Sequence, residues 1–217
     1  MARSTRGIYC CVAIALVAGL AGLARPALAL DPRYPDWPCQ QLKVPEISIA
    51  SVWTGPPIGS IDAAKPTDPK EVELVSRLAA RRTPIEDARK LIADFMVGTR
   101  EEKQEKAKRL IAGLYATLNA QRDEVMNGIE RFSRKQKAMA EQIRSETEKI
   151  RQLQDQPGND PAQNEALANQ LSWQTRIFED RRKSTSYVCD VPVLLEKRLF
   201  DLASAIQADM GADPPAK

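Results

Sequence analysis

The sequence predicts an all-α fold: a long antiparallel helical hairpin of coiled-coil type, two short helices forming a bundle at its base, and an extended proline-rich N-terminal arm. Three observations carry this. Prolines punctuate residues 30–68 and then become rare, so long helices are excluded in the first stretch and permitted after it. Helix start signals recur at Asp68, Thr83, Thr99 and Asp160. Apolar residues alternate at spacings of three and four along the two longest stretches, which is a heptad pattern.

Residues 1–29 have the layout of a secretory signal peptide. Arg3 and Arg6 open it, Ile8 to Leu23 is almost wholly apolar, and Ala27-Leu28-Ala29 forms an A-x-A site behind Pro26. Cleavage is expected after Ala29. The rival reading is an uncleaved membrane anchor, against which stand the marginal apolar length, Pro26 and the small-residue site. Export would change the composition. The chain's formal charge of +3 is carried by Arg3, Arg6 and Arg25, so the exported part is neutral and gives no reason to expect nucleic acid. Cys10 and Cys11 leave with the leader. Cys39 and Cys189 are then the remaining thiols, and in an oxidising compartment they should pair. A redox-active pair would need neighbouring C-x-x-C thiols, which this sequence lacks.

Residues 30–68 form the expected arm. Seven prolines from Pro32 to Pro66 forbid a long helix, yet Tyr34, Trp37, Ile47, Ile49, Val52 and Trp53 make it too apolar for a free linker. Tethered at Cys39, it reads as a strap over a helix seam. The functional alternative makes Trp37 and Trp53 docking aromatics for a partner.

The helical domain spans 69–210, followed by a disordered tail at 211–217. Asp68-Pro69-Lys70-Glu71 starts a short helix with Val72, Val75, Leu78 and Ala79 on one face. Thr83-Pro84-Ile85-Glu86 starts a second, carrying Ile85, Ala88, Leu91, Ile92 and Phe95 as far as Gly98. The third opens at Thr99 and meets no proline before Pro157. Its stripe runs through Ala107, Ile111, Leu114, Leu118 and Val125, slips in phase near Asn127-Gly128, and continues through Ile129, Phe132, Gln136, Met139, Ile143, Glu146, Ile150 and Leu153. A turn at 157–161 leads to the fourth, with a break or kink expected at Asp190-Val191-Pro192. Its seam is Leu167, Leu171, Gln174, Phe178, Arg181, Thr185, Val188, Leu195, Leu199, Leu202 and Ile206. Folding about the turn sets Met139 against Phe178, Gln136 against Arg181, Leu118 against Leu199 and Cys189 beside Gly128.

The chemistry is limited by the absence of histidine anywhere in the chain. That removes histidine bases, Ser-His and Cys-His pairs, and most zinc or copper sites. The turn at 155–165 is oxygen-rich but lacks the alternating ligands of a calcium loop, and helix stop and start signals explain it. The glutamates sit among lysines and arginines at helical spacing and read as surface pairs. No catalytic residue, metal or cofactor is expected. What remains is a basic belt: Arg131, Arg134, Lys135 and Lys137 on one helix, with Arg176, Arg181, Arg182 and Lys183 on the other, diluted by Glu179 and Asp180. The expected function is therefore non-enzymatic binding: a periplasmic adaptor, scaffold or holdase acting through the coiled-coil arm. Its expected partners are a protein of the cell envelope and, through the belt, an anionic envelope surface. The alternative is an accessory subunit or sensor domain of an exported enzyme or envelope complex.

Overall fold

A computed structural model describes residues 31–211. The expected signal peptide and the tail after Gly211 lie outside the described residues. Two units meet at Pro35. In the first, described residues 31–35 make a turn: the Tyr34 amide donates to the Asp31 carbonyl at 2.9 Å and Arg33 pairs with the Asp31 carboxylate at 2.7 Å. The second unit begins at Asp36 and contains all that follows. Among its described residues there are helices and no strands: α1 (Ile49–Val52), α2 (Ile61–Ala64), α3 (Pro69–Ala79), α4 (Ile85–Phe95), α5 (Arg100–Gln154) and α6 (Pro161–Gly211).

Three of the four start signals act as caps. Asp68 accepts from the Lys70 amide at 2.8 Å with Pro69 at the first helical position. Thr99 and Glu102 form a reciprocal capping box, so two orphan amides at the head of α5 are satisfied together. Asp160 accepts from the Ala162 amide at 3.0 Å. Thr83 departs from the pattern. Pro84 holds the cap position of α4, and the Thr83 hydroxyl instead donates to the Arg77 carbonyl at 2.8 Å, tying the loop between α3 and α4. The expected break at Pro192 is also absent, since α6 runs through it. The proline removes the amide that would serve the Val188 carbonyl. Next to that carbonyl, the Gln41 side-chain amide donates to the carbonyl of Cys189.

The long helices α5 and α6 pack on each other, with α3 and α4 added at one end to make a bundle. Arg122 to Glu196 at 2.6 Å, Gln136 to the Phe178 carbonyl at 3.2 Å and Gln174 to Glu146 at 3.4 Å mark an antiparallel pair within a turn of the expected register. The core is concentrated where four helices meet. Leu78, Ile92, Leu110, Ile111, Leu114, Leu118, Leu199, Leu202 and Ile206 are fully buried there. Between residues 134 and 183 Ile150 alone is buried. Close approach of α5 to its neighbours depends on Gly113, whose absent Cβ would lie 2.8 Å from Val75 and 3.0 Å from Pro66.

Three phase assignments need correction. Val72 is exposed, and α3 presents Val75, Leu78 and Ala79 inward without it. In α6, Arg181 and Val188 turn outward while Cys189 and Pro192 take the buried positions. The disulfide holds Cys189 on the inner side, one residue off the stripe, and the stripe is buried again at Leu195, Leu199, Leu202 and Ile206. Gly128 therefore does not make room for the cysteines; a Cβ there would meet nothing closer than the Arg131 guanidinium at 3.8 Å.

From Asp36 to Lys65 the chain forms α1 and α2, single turns not read from the sequence, and its hydrogen bonds follow the long helices. Arg122, Asn119 and Tyr115, on successive turns of α5, bond the Pro45 carbonyl, the Ile47 amide and the Ile47 carbonyl. Burial and the nearby Glu46 carboxylate push the Tyr115 phenol up to about 12. Thr54 reaches Gln207 of α6 at 2.9 Å.

The Arg122–Glu196 pair supplies one stability prediction. The Arg122 side chain is 3 % exposed and that of Glu196 40 %. Glu196→Ala would leave a buried guanidinium with the Pro45 carbonyl at 3.3 Å. The expected loss in urea titration is about 2–3 kcal/mol, below the ~3–5 of a fully buried pair because water reaches Glu196. Replacing both residues by methionine should recover most of it, whereas equal losses in the single and double variants would show that shape rather than unpaired charge sets the cost.

Candidate functional site

The disulfide borders a concave part of the surface. Cys39 and Cys189 are bonded, with Cα atoms 5.5 Å apart and 150 residues between them in sequence. Beside them opens a cleft of about 560 Å³. Phe132, Ser133 and Gln136 of α5 form one wall, Phe178, Arg182 and Thr185 of α6 the other, and Cys39 to Gln41 border it from the N-terminal segment. Such a volume falls within the range of small-ligand and side-chain pockets. Its lining is mixed: two half-buried rings, the disulfide, a buried serine and an amide. The Gln136 Nε2 donates to the Phe178 carbonyl, while its Oε1 is buried without a partner. A layer of this kind weakens the helix pair locally.

All eight residues of the basic belt are exposed. Their charges are not equally available. Asp36, from the N-terminal segment, lies 2.9 Å from Lys137 and 3.2 Å from Arg134. Those two cations hold the Asp36 carboxyl below the usual carboxylate range. Arg182 pairs with Glu179 at 2.9 Å and Lys183 with Asp180 at 3.6 Å, each one turn back on α6. Arg131, Lys135, Arg176 and Arg181 have no ion pair among the described residues. The Gln136–Phe178 contact and the shared cleft bring the two basic runs to one level of the helix pair, with Arg182 on the lip.

The two tryptophans proposed as docking aromatics turn inward. Trp37 is 5 % exposed and its indole donates to the Gln41 carbonyl at 2.7 Å. Trp53 is 7 % exposed, sits in the main core and donates to the Pro56 carbonyl at 2.9 Å. Gly55 lies against the Trp53 ring so closely that any side chain there would strike it. Buried rings with satisfied indole groups serve packing in the described chain, so neither tryptophan is an exposed anchor in it. Among the described residues the large aromatics that do face solvent are Trp173 at 63 %, Tyr187 at 76 % and Phe200 at 54 %, all on α6. Their sequence signal was that they fall off the seam phase.

Among the described residues no group of three His, Cys, Asp or Glu could hold a metal, and no helix is long and apolar enough to cross a membrane. Comparison with protein-family models, with curated proteins and with solved structures returns no match.

Proposed function

We propose that this chain is an exported, non-enzymatic binding protein, a periplasmic adaptor, scaffold or holdase. It engages a protein of the cell envelope through a coiled-coil arm, the distal part of α5 and α6, strapped at its base by the proline-rich N-terminal segment. The observation that carries the reading is the cleft beside the disulfide, flanked at the same level by cations that no acidic group of the described chain neutralises. A partner segment presenting acidic residues around an apolar side chain would complement it: carboxylates to the belt, the apolar group between Phe132 and Phe178. An anionic envelope surface would satisfy the belt but not the cleft. The buried disulfide supports an oxidising compartment.

The test is capture of partners from the cell envelope with the wild-type protein and a variant carrying Arg131→Glu, Lys135→Glu and Arg181→Glu. Reversing these three leaves the Asp36 bridge intact. Capture should fall several-fold with the melting transition unmoved, and wild-type capture should weaken as salt shortens the Debye length below about 10 Å. Association that ignores both salt and charge reversal would reduce the belt to ordinary solvated surface. One stoichiometric partner would favour an accessory subunit; many weak, unfolded ones would favour a holdase.

A further inference from the structure

The outer face of α6 carries a pattern that the packing of the chain leaves unused. Trp173, Tyr187 and Leu194 are 63 %, 76 % and 52 % exposed and stand whole heptads apart, so one helix face presents all three. Asp180 occupies the remaining heptad position between the first two, and Arg176, Lys183 and Asp190 line the adjacent row. Large apolar side chains aligned on one exposed face exceed the scatter of single exposed residues normal on a surface.

We propose that this face is a homodimer interface, with α6 of a second copy lying antiparallel across it and the twofold axis passing between Lys183 and Ser184. The pattern is self-complementary under that reversal. Trp173 meets Leu194 of the second copy, the Tyr187 hydroxyl reaches Asp180, and Arg176 comes opposite Asp190, each contact occurring twice. Among the described residues neither Arg176 nor Asp190 has an ion pair of its own. A foreign partner would have no reason to match a sequence that reads as its own complement, whereas an isologous contact requires it. Lys183 meets its own image near the axis, where its pairing with Asp180 at 3.6 Å offsets the like charge. The apolar contact is small beside an obligate interface, so the dimer is concentration-dependent rather than permanent.

Sedimentation equilibrium on the purified, oxidised protein tests this, with thermal melting of each variant as the folding control. The wild type should pass from monomer to dimer, and no further, as concentration rises through the micromolar range. Trp173→Asp and Leu194→Asp should each weaken association about tenfold or more. Arg176→Asp and Asp190→Arg should each weaken it, and the double variant should regain wild-type association. That recovery requires two chains, because the two positions are four turns apart on one helix. A monomer at every concentration, open-ended oligomers, a dimer indifferent to Trp173→Asp, or a double charge swap no better than its singles would each overturn the proposal. Arg176 belongs to the belt and Asp190 lines the cleft, but Trp173 and Leu194 belong to neither, so the response of self-association to Trp173→Asp and Leu194→Asp separates failure here from failure of the belt.

Discussion

Removing the disulfide, by Cys39→Ser together with Cys189→Ser, should destabilise the protein by about 4–5 kcal/mol, because the bond closes a loop of some 150 residues. In a domain of this size that corresponds to a fall of roughly 10–15 °C in melting temperature. The loss is expected to be global rather than local. Trp37, Cys39 and Ile47 are all buried, so the N-terminal segment belongs to the folded body as well as being tied to it. Intact-mass analysis of the native protein after alkylation under denaturing, non-reducing conditions should find neither thiol modified. Two alkylated thiols, or a double variant that melts with the wild type, would mean that the bond is not part of the working protein.

How much of this was legible depends on the range of the signal. Caps and prolines act within one turn, and Asp68, Thr99, Asp160 and Gly98 placed the ends of the helices closely. The disulfide was legible by elimination, since the expected leader would carry the other two cysteines away. Long-range facts were not. Asp36 neutralises part of the belt from about a hundred residues away, and nothing near Arg134 or Lys137 announces it. Arg122 reads as one more surface arginine, yet it is buried because the N-terminal segment crosses it and Glu196 answers its charge. The cleft was hidden because Phe132, Gln136 and Phe178 were read as seam residues, and they stand at the seam; that they also line a cleft depends on Cys39 to Gln41, which border it from a distant stretch of sequence. In α6 the error of one residue at Val188 against Cys189 is local, because the disulfide takes Cys189 inward while the same stripe is buried again from Leu195 to Ile206.

The tryptophans give the last prediction, and the two should behave differently. Trp53→Ala removes a ring from the main core, next to a glycine that the ring itself requires, and should cost about 3–5 kcal/mol. Trp37 is equally buried but lies outside that core, two residues from a covalent tether that keeps its segment in place when the ring is lost. Its alanine variant should cost less, about 2–3 kcal/mol, and the difference should vanish in the background lacking the disulfide, where the tether no longer compensates. Phenylalanine at either position keeps most of the packing and loses the indole hydrogen bond, so about 1 kcal/mol is expected. Partner capture by both alanine variants, measured well below their melting transitions, should match the wild type. A Trp53→Ala protein that melts normally but loses its partner would restore the ring as a docking anchor, and it would require the N-terminal segment to leave the core when it binds.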